Sequence, residues 1–192
     1  MTERIRYSSG RKVKGDAGAL VLQQAYIRSA DMDLILAGVC IGEAEEKRQF
    51  SLRMGEWFQN TFVREMSAHL HASAVDVFEK CIGRLEESEA FNCSIFIGAG
   101  ELGYVRSRGE GTSVSLLQEV LGKTTLVKML DGTDDEIIVQ RGAGILILVD
   151  IILSEREIQC LKTAENDEKI EKALEEVFED KEKACAVFIK AD

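Results

Sequence analysis

Proline is absent from the 192-residue chain, where average usage would place about ten. Cis-prolyl turns and proline-stiffened linkers are thereby excluded, and every reversal of the chain must rest on glycine and short polar residues. Histidine occurs only as His69 and His71. Two positions apart near the end of a helix, they do not share a face, so a surface place is expected and not a metal site. Cysteine is sparse and odd in number: Cys40, Cys81, Cys93, Cys160 and Cys185 each lie in or beside an apolar run, with no C-x-x-C pair. The pattern fits buried free thiols in a reducing compartment. No apolar run approaches the length of a membrane span, and the N-terminal MTERIRYSSGRKVKG is charged where a signal peptide needs an apolar stretch. Positive charge is short as well, with 24 Lys and Arg against 34 Asp and Glu for a net charge of −10. A phosphate backbone needs cations to displace its counterions, so nucleic acid is not an expected partner. These absences together describe a cytoplasmic protein with neither a nucleic-acid nor a membrane partner.

What is present suits a folded chain. Hydrophobic residues make up 45% and charged residues 30%, and the length suits one domain over residues 1–192. IRYSS, ALVLQQ and LILAGV read as strands. From Glu43 to Leu70 the residues Phe50, Met54, Trp57, Phe58, Phe62, Met66 and Leu70 recur every three or four positions, which predicts one long amphipathic helix. Ser73 with Asp76 has the form of a capping box before a second stripe from Ala74 to Leu85. SIFIGA, LGYVRS, SVSLL, TLVKML, EIIVQ and ILILVD then follow at short intervals, as an antiparallel meander would, with the acidic GTDDE read as a solvated turn. Ser154 with Glu157 opens a further helix, Ile170, Ala173, Leu174, Val177 and Phe178 stripe another, and ACAVFIK closes as a strand. Runs of strands separated from runs of helices predict an α+β fold, with two mainly antiparallel sheets flanked by helices in a four-layer α-β-β-α sandwich.

The stretch LILAGVCIGE raises the question of function, because a buried strand here ends in a small-residue turn bracketed by Gly38 and Gly42. It resembles, without a gap, the motif LFAVADGMGG of the metal-dependent serine/threonine phosphatases of the protein phosphatase 2C type. Gly42 is kept and Val39 stands at the family's central aspartate, with Cys40 beside it. The chain resembles that family in four further segments, in order. RKVKGDAGALVL is similar to the motif R-x-x-N-x-D-A before a strand, with Asp16 at the acidic position. YVRSRGEGTSVSLL is similar to LYVANVGDSRAYLL, with Gly109 kept, Glu110 for aspartate and Thr112 for arginine. ILILVDIILSEREI is similar to LLLCSDGLTDxLSxEEI once three turn residues are deleted, with Asp150 at the metal-binding aspartate and Ile151 for the glycine after it. KACAVFIK is similar to the closing D-N-x-T segment, with Lys183 where an aspartate should stand.

What the resemblance implies is a β-sandwich with helices outside and two Mg²⁺ or Mn²⁺ ions that activate a water. Hard cations of that kind need oxygen ligands, and a paired site needs a bridging carboxylate. Val39 has no lone pair to give, and a lysine at 183 repels a dication. The expectation is therefore a binding or regulatory pseudophosphatase with a protein partner and no cofactor. The alternative is a divergent Mn²⁺- or Mg²⁺-dependent phosphatase that uses Asp16 and Asp150, with Glu110. Each of these three acids also has an ordinary reading as a turn or helix-entry residue. Cys40 as a nucleophile is disfavoured, because IGEAEEKR puts acids beside it and no C-x₅-R loop follows.

Overall fold

In the computed structural model, which describes residues 4–68, 73–120, 123–128 and 132–192, LILAGVCI forms most of strand β3 (Met32–Ile41). Leu34, Leu36 and Cys40 belong to a core shared with helices, while Ile35, Ala37 and Val39 belong to a core between two sheets. Both faces of the strand are covered, which is why the run is continuously apolar instead of alternating.

The sheet containing β3 also holds β2 (Ala19–Ile27), β4 (Asn92–Ala99), β5 (Leu102–Arg108) and β8 (Asp134–Ile138), in the order β2-β3-β4-β5-β8. The second sheet orders β1 (Tyr7–Lys14), β10 (Ala184–Ala191), β9 (Gly144–Val149), β6 (Thr112–Val120) and β7 (Lys123–Lys128) as β1-β10-β9-β6-β7. All strand pairs are antiparallel. The outer face of the β3 sheet carries α1 (Ala44–Trp57), α2 (Arg64–Ala68) and α3 (Ala74–Ile82); that of the other carries α4 (Glu155–Thr163) and α5 (Asp167–Val177). The expected four-layer α-β-β-α sandwich is the observed one.

Three expectations change in detail. The six strands after α3 are not one meander: β4, β5 and β8 join one sheet, and β6, β7 and β9 the other. Hairpin spacing cannot distinguish a strand that pairs with its predecessor from one that crosses to the opposite layer. The long helix is interrupted by a π-helical turn at Phe58–Val63. Trp57 and Phe62 are five residues apart, and the wider turn brings their rings into a stack with centroids 5.4 Å apart. Ser73 precedes α3 as its N-cap residue but makes no side-chain cap bond, whereas the Ser154–Glu157 box forms in full. His69, His71, Leu70, Met129 and Leu130 lie outside the described residues.

The acids expected as a solvated turn, Asp134 to Glu136, lie in β8 itself, and Asp134 does more than meet solvent. Asp134 Oδ1 accepts hydrogen bonds from Tyr104 Oη at 2.7 Å and Arg106 Nε at 2.7 Å, and Arg108 pairs with Oδ2. Arg106, only 7% exposed, also donates from Nη1 to Leu85 O at 2.8 Å and Ser88 Oγ at 2.7 Å. A buried guanidinium needs such a full set of acceptors, and here it ties the edge of the sheet to the loop after α3.

Gly38 lies where β3 passes beneath α1, and a Cβ there would stand 2.6 Å from Ile95 Cγ2 and 3.2 Å from Phe50 Cζ. Gly38→Ala is expected to destabilise the protein by about 1–3 kcal/mol through overpacking. In urea denaturation the midpoint should fall with an unchanged slope.

Candidate functional site

The segments that carry the sequence resemblance meet at one end of the sandwich. A Cβ on Gly18, just after the β1–β2 turn, would lie 2.7 Å from Cys40 O, 3.0 Å from Val149 Cγ2 and 3.4 Å from Cys185 Sγ. That one position therefore touches the ends of β3 and β9 and the start of β10. Gly15 lies beside the stem of Lys183, with Lys183 Cγ 3.1 Å from where its Cβ would be. The Asp150 amide donates to Gly111 O at 2.7 Å, which joins the end of β9 to the β5–β6 turn. Ile41 Cδ1 reaches the same turn, 2.8 Å from the corresponding point on Gly111.

Val39, at the place of the central aspartate, is fully buried in the inter-sheet core with Val149, Cys185, Ala17 and Leu20. The acids lie outside it. Asp16 is on the exposed β1–β2 turn, Glu110 on the exposed β5–β6 turn, and Asp150 is exposed at φ 39 after β9. Among the described residues, no group of three or more His, Cys, Asp or Glu is placed to hold an ion. Thr112, at the place of the motif's arginine, is buried and accepts a hydrogen bond from Ser94 Oγ at 3.0 Å, and Ser94 and Ser107 hydroxyls share another at 2.9 Å. These three hydroxyls satisfy one another inside the sandwich, as buried polar groups must. Sequence inspection did not single out Ser94 or Ser107.

Gly42 keeps its place for a local reason. Its φ is +149°, in the region that favours glycine, and a Cβ would collide with the Glu46 carboxylate. Glu46 accepts from the Glu43 amide at 2.9 Å and so caps α1.

Lys47 is the residue that sequence reasoning missed. It stands three positions before Phe50 and seven before Met54, on the apolar stripe of α1, and its side chain is only 13% exposed. Its ammonium pairs with Asp16, whose own side chain is 82% exposed. The hydrogen bond and charge of Lys47, with a smaller contribution from Lys183, hold the Asp16 carboxyl below the usual aspartate range. The missed signal was a lysine in a stripe that otherwise wants apolar residues.

Cys40 is buried with Sγ donating to Ile41 O at 3.3 Å. Burial, and then the charge of Glu46, push its thiol up to about 11 against the opposing pull of Lys47. Burial thus outweighs the neighbouring acids that the sequence pointed to. Beside this end, a groove of about 440 Å³ lies between the start of α4 and the end of α5, lined by Ser154, Glu157, Cys160 and Lys181 among others.

No family model matches the chain, and no curated protein matches it. Solved structures do match. The catalytic domain of the serine/threonine protein phosphatase PstP, in complex with two manganese ions, is 10% identical, with 98% of each chain covered and a TM-score of 0.59. RsbX in complex with magnesium is 11% identical, with 98% of this chain and 96% of that one covered and a TM-score of 0.57. The PP2C phosphatase domain of SpoIIE from Bacillus subtilis, with a fragment of its regulatory domain, is 11% identical with a TM-score of 0.56. In that case 96% of this chain is covered, but it spans only 62% of the SpoIIE chain. At such identities the likeness is one of fold, and the fold is that of the 2C-type phosphatases.

Thiols at about 11 (Cys40 and Cys81) and about 12 (Cys93 and Cys185) are protonated at neutral pH. Near pH 8 roughly a thousandth or less of each is thiolate. Iodoacetamide should therefore label the less buried Cys160 first in the native protein and the other four only on unfolding, as peptide mass mapping would record.

Proposed function

We propose that this chain, which has the fold of the 2C-type phosphatases, works by binding a protein partner and not by hydrolysing phosphate esters. The observation that carries the reading is that Val39, which the resemblance aligns with the family's central aspartate, is an apolar side chain fully buried and with no lone pair to give. Lys183 beside the Asp16 turn and the Lys47–Asp16 pair support it, because ammonium groups there oppose a dication. The residues present at this end do not suit Mg²⁺ or Mn²⁺, so no catalytic step is assigned to either ion. A regulatory role accords with a neighbour such as SpoIIE, which has a regulatory domain as well as its PP2C phosphatase domain. On this reading residues 1–192 act as one cytoplasmic binding domain.

A second reading keeps catalysis, with ligands drawn from Asp16, Glu110 and Asp150. The bond from the Asp150 amide to Gly111 O favours it, since it sets two of those acids on adjoining turns. Calorimetric titration with Mn²⁺ and hydrolysis of p-nitrophenyl phosphate separate the two. The expected result is no micromolar binding and no turnover above that of Asp150→Ala. Micromolar binding together with turnover that Asp150→Ala abolishes would overturn the binding-protein reading in favour of the second.

A further inference from the structure

Asp16 pairs with one cation, Lys47, and feels a second, Lys183, more weakly; the two come from different layers. Lys47 projects from the first turn of α1, and Lys183 precedes β10 in the opposite sheet with its stem against Gly15. The exposures of the Lys47 pair are unequal, 13% for the lysine and 82% for the aspartate. The cation is thus the enclosed member and the carboxylate the solvated one, the reverse of a surface lysine reaching out to an acid. The stem of Lys47 lies along the stripe that continues through Phe50 and Met54, so its ammonium is delivered to a fixed place. Its charge also reaches Cys40 on β3 and Cys185 on β10, in each case opposing the upward effect of burial. The contact that the ammonium itself makes is with Asp16, so it ties the β1–β2 turn to α1.

We propose that Lys47 is a tethered cation. It neutralises Asp16, fixes the β1–β2 turn against α1, and bars a divalent ion from that turn. The inference rests on the metal-independent reading above and adds the residue that enforces it. A side chain needs no ion supply, so the β1–β2 turn keeps its shape whatever the divalent concentration. A lysine on a rigid helix also repels any dication approaching Asp16, without having to move.

The test is the broadening of amide NMR signals by Mn²⁺ added to the whole chain, which reads even weak, local binding. In the wild type, amides 15–18 should broaden no more than exposed acidic sites elsewhere. Lys47→Met removes the charge and keeps the apolar stem, and should broaden the same amides at a Mn²⁺ concentration lower by about tenfold or more. Adding Asp16→Asn to that variant should abolish the effect, and Lys47→Arg, which keeps the charge, should behave as the wild type. If Lys47→Met fails to give a folded spectrum, Lys47→Gln serves in its place. Equal broadening in the wild type and in the charge-removed variant, with no phosphatase turnover in either, would overturn the tethered cation and leave the binding-protein reading standing. Mn²⁺ binding with turnover in the wild type would overturn that reading itself.

Discussion

The structure depends on one constraint, the need of β3 to be apolar on both faces along its whole length. Helices cover one side of it and a second sheet the other, so a charge placed anywhere between Leu34 and Cys40 would lose its water. An unpaired carboxylate in such surroundings costs several kcal/mol unless a cation compensates it. In this chain the core continues to the very end of the strand, through Val39, Val149 and Cys185, and needs no such compensation.

What the core gives up in polar chemistry is restored locally. Ser94, Ser107 and Thr112 close a set of hydroxyl bonds across three strands, and Arg106 finds acceptors on Asp134, Tyr104, Leu85 and Ser88. Both sets are internally satisfied, so they specify how strands and loops meet without asking for a ligand. Lys47 and Asp16 pair at the end of the sandwich, where one charge is enclosed and the other faces water.

Much of this was legible in the sequence, for physical reasons that differ from place to place. Continuous apolar runs gave β3, β9 and β10 because strands buried on both faces cannot alternate. The Ser154–Glu157 box was readable because capping is a contact between residues three apart. The exchange of strands between sheets was not readable, since local spacing is silent about which layer a strand joins. The π-helical turn was hidden because Trp57, Phe58 and Phe62 satisfy an ordinary helical stripe well enough. Lys47 was missed because a lysine among EAEEKR looks like surface charge until its position on the Phe50 and Met54 stripe is counted. Asp134 was taken as solvated because its arginine partners lie 26 and 28 residues away.

The retained glycines of the resemblance also change in meaning once their surroundings are known. Gly42 is demanded by a φ of +149° and by the Glu46 carboxylate that caps α1. Gly109 has a φ of +76° and lies against the Asn92 side chain, where a Cβ would collide. Both requirements are set by backbone conformation and a neighbouring side chain of the fold. The positions that differ, Val39, Thr112 and Lys183, are the ones the resemblance would assign to binding or catalysis. A glycine kept at a strand end testifies to the shape of the turn, and only the side chains beside it testify to what the turn can hold.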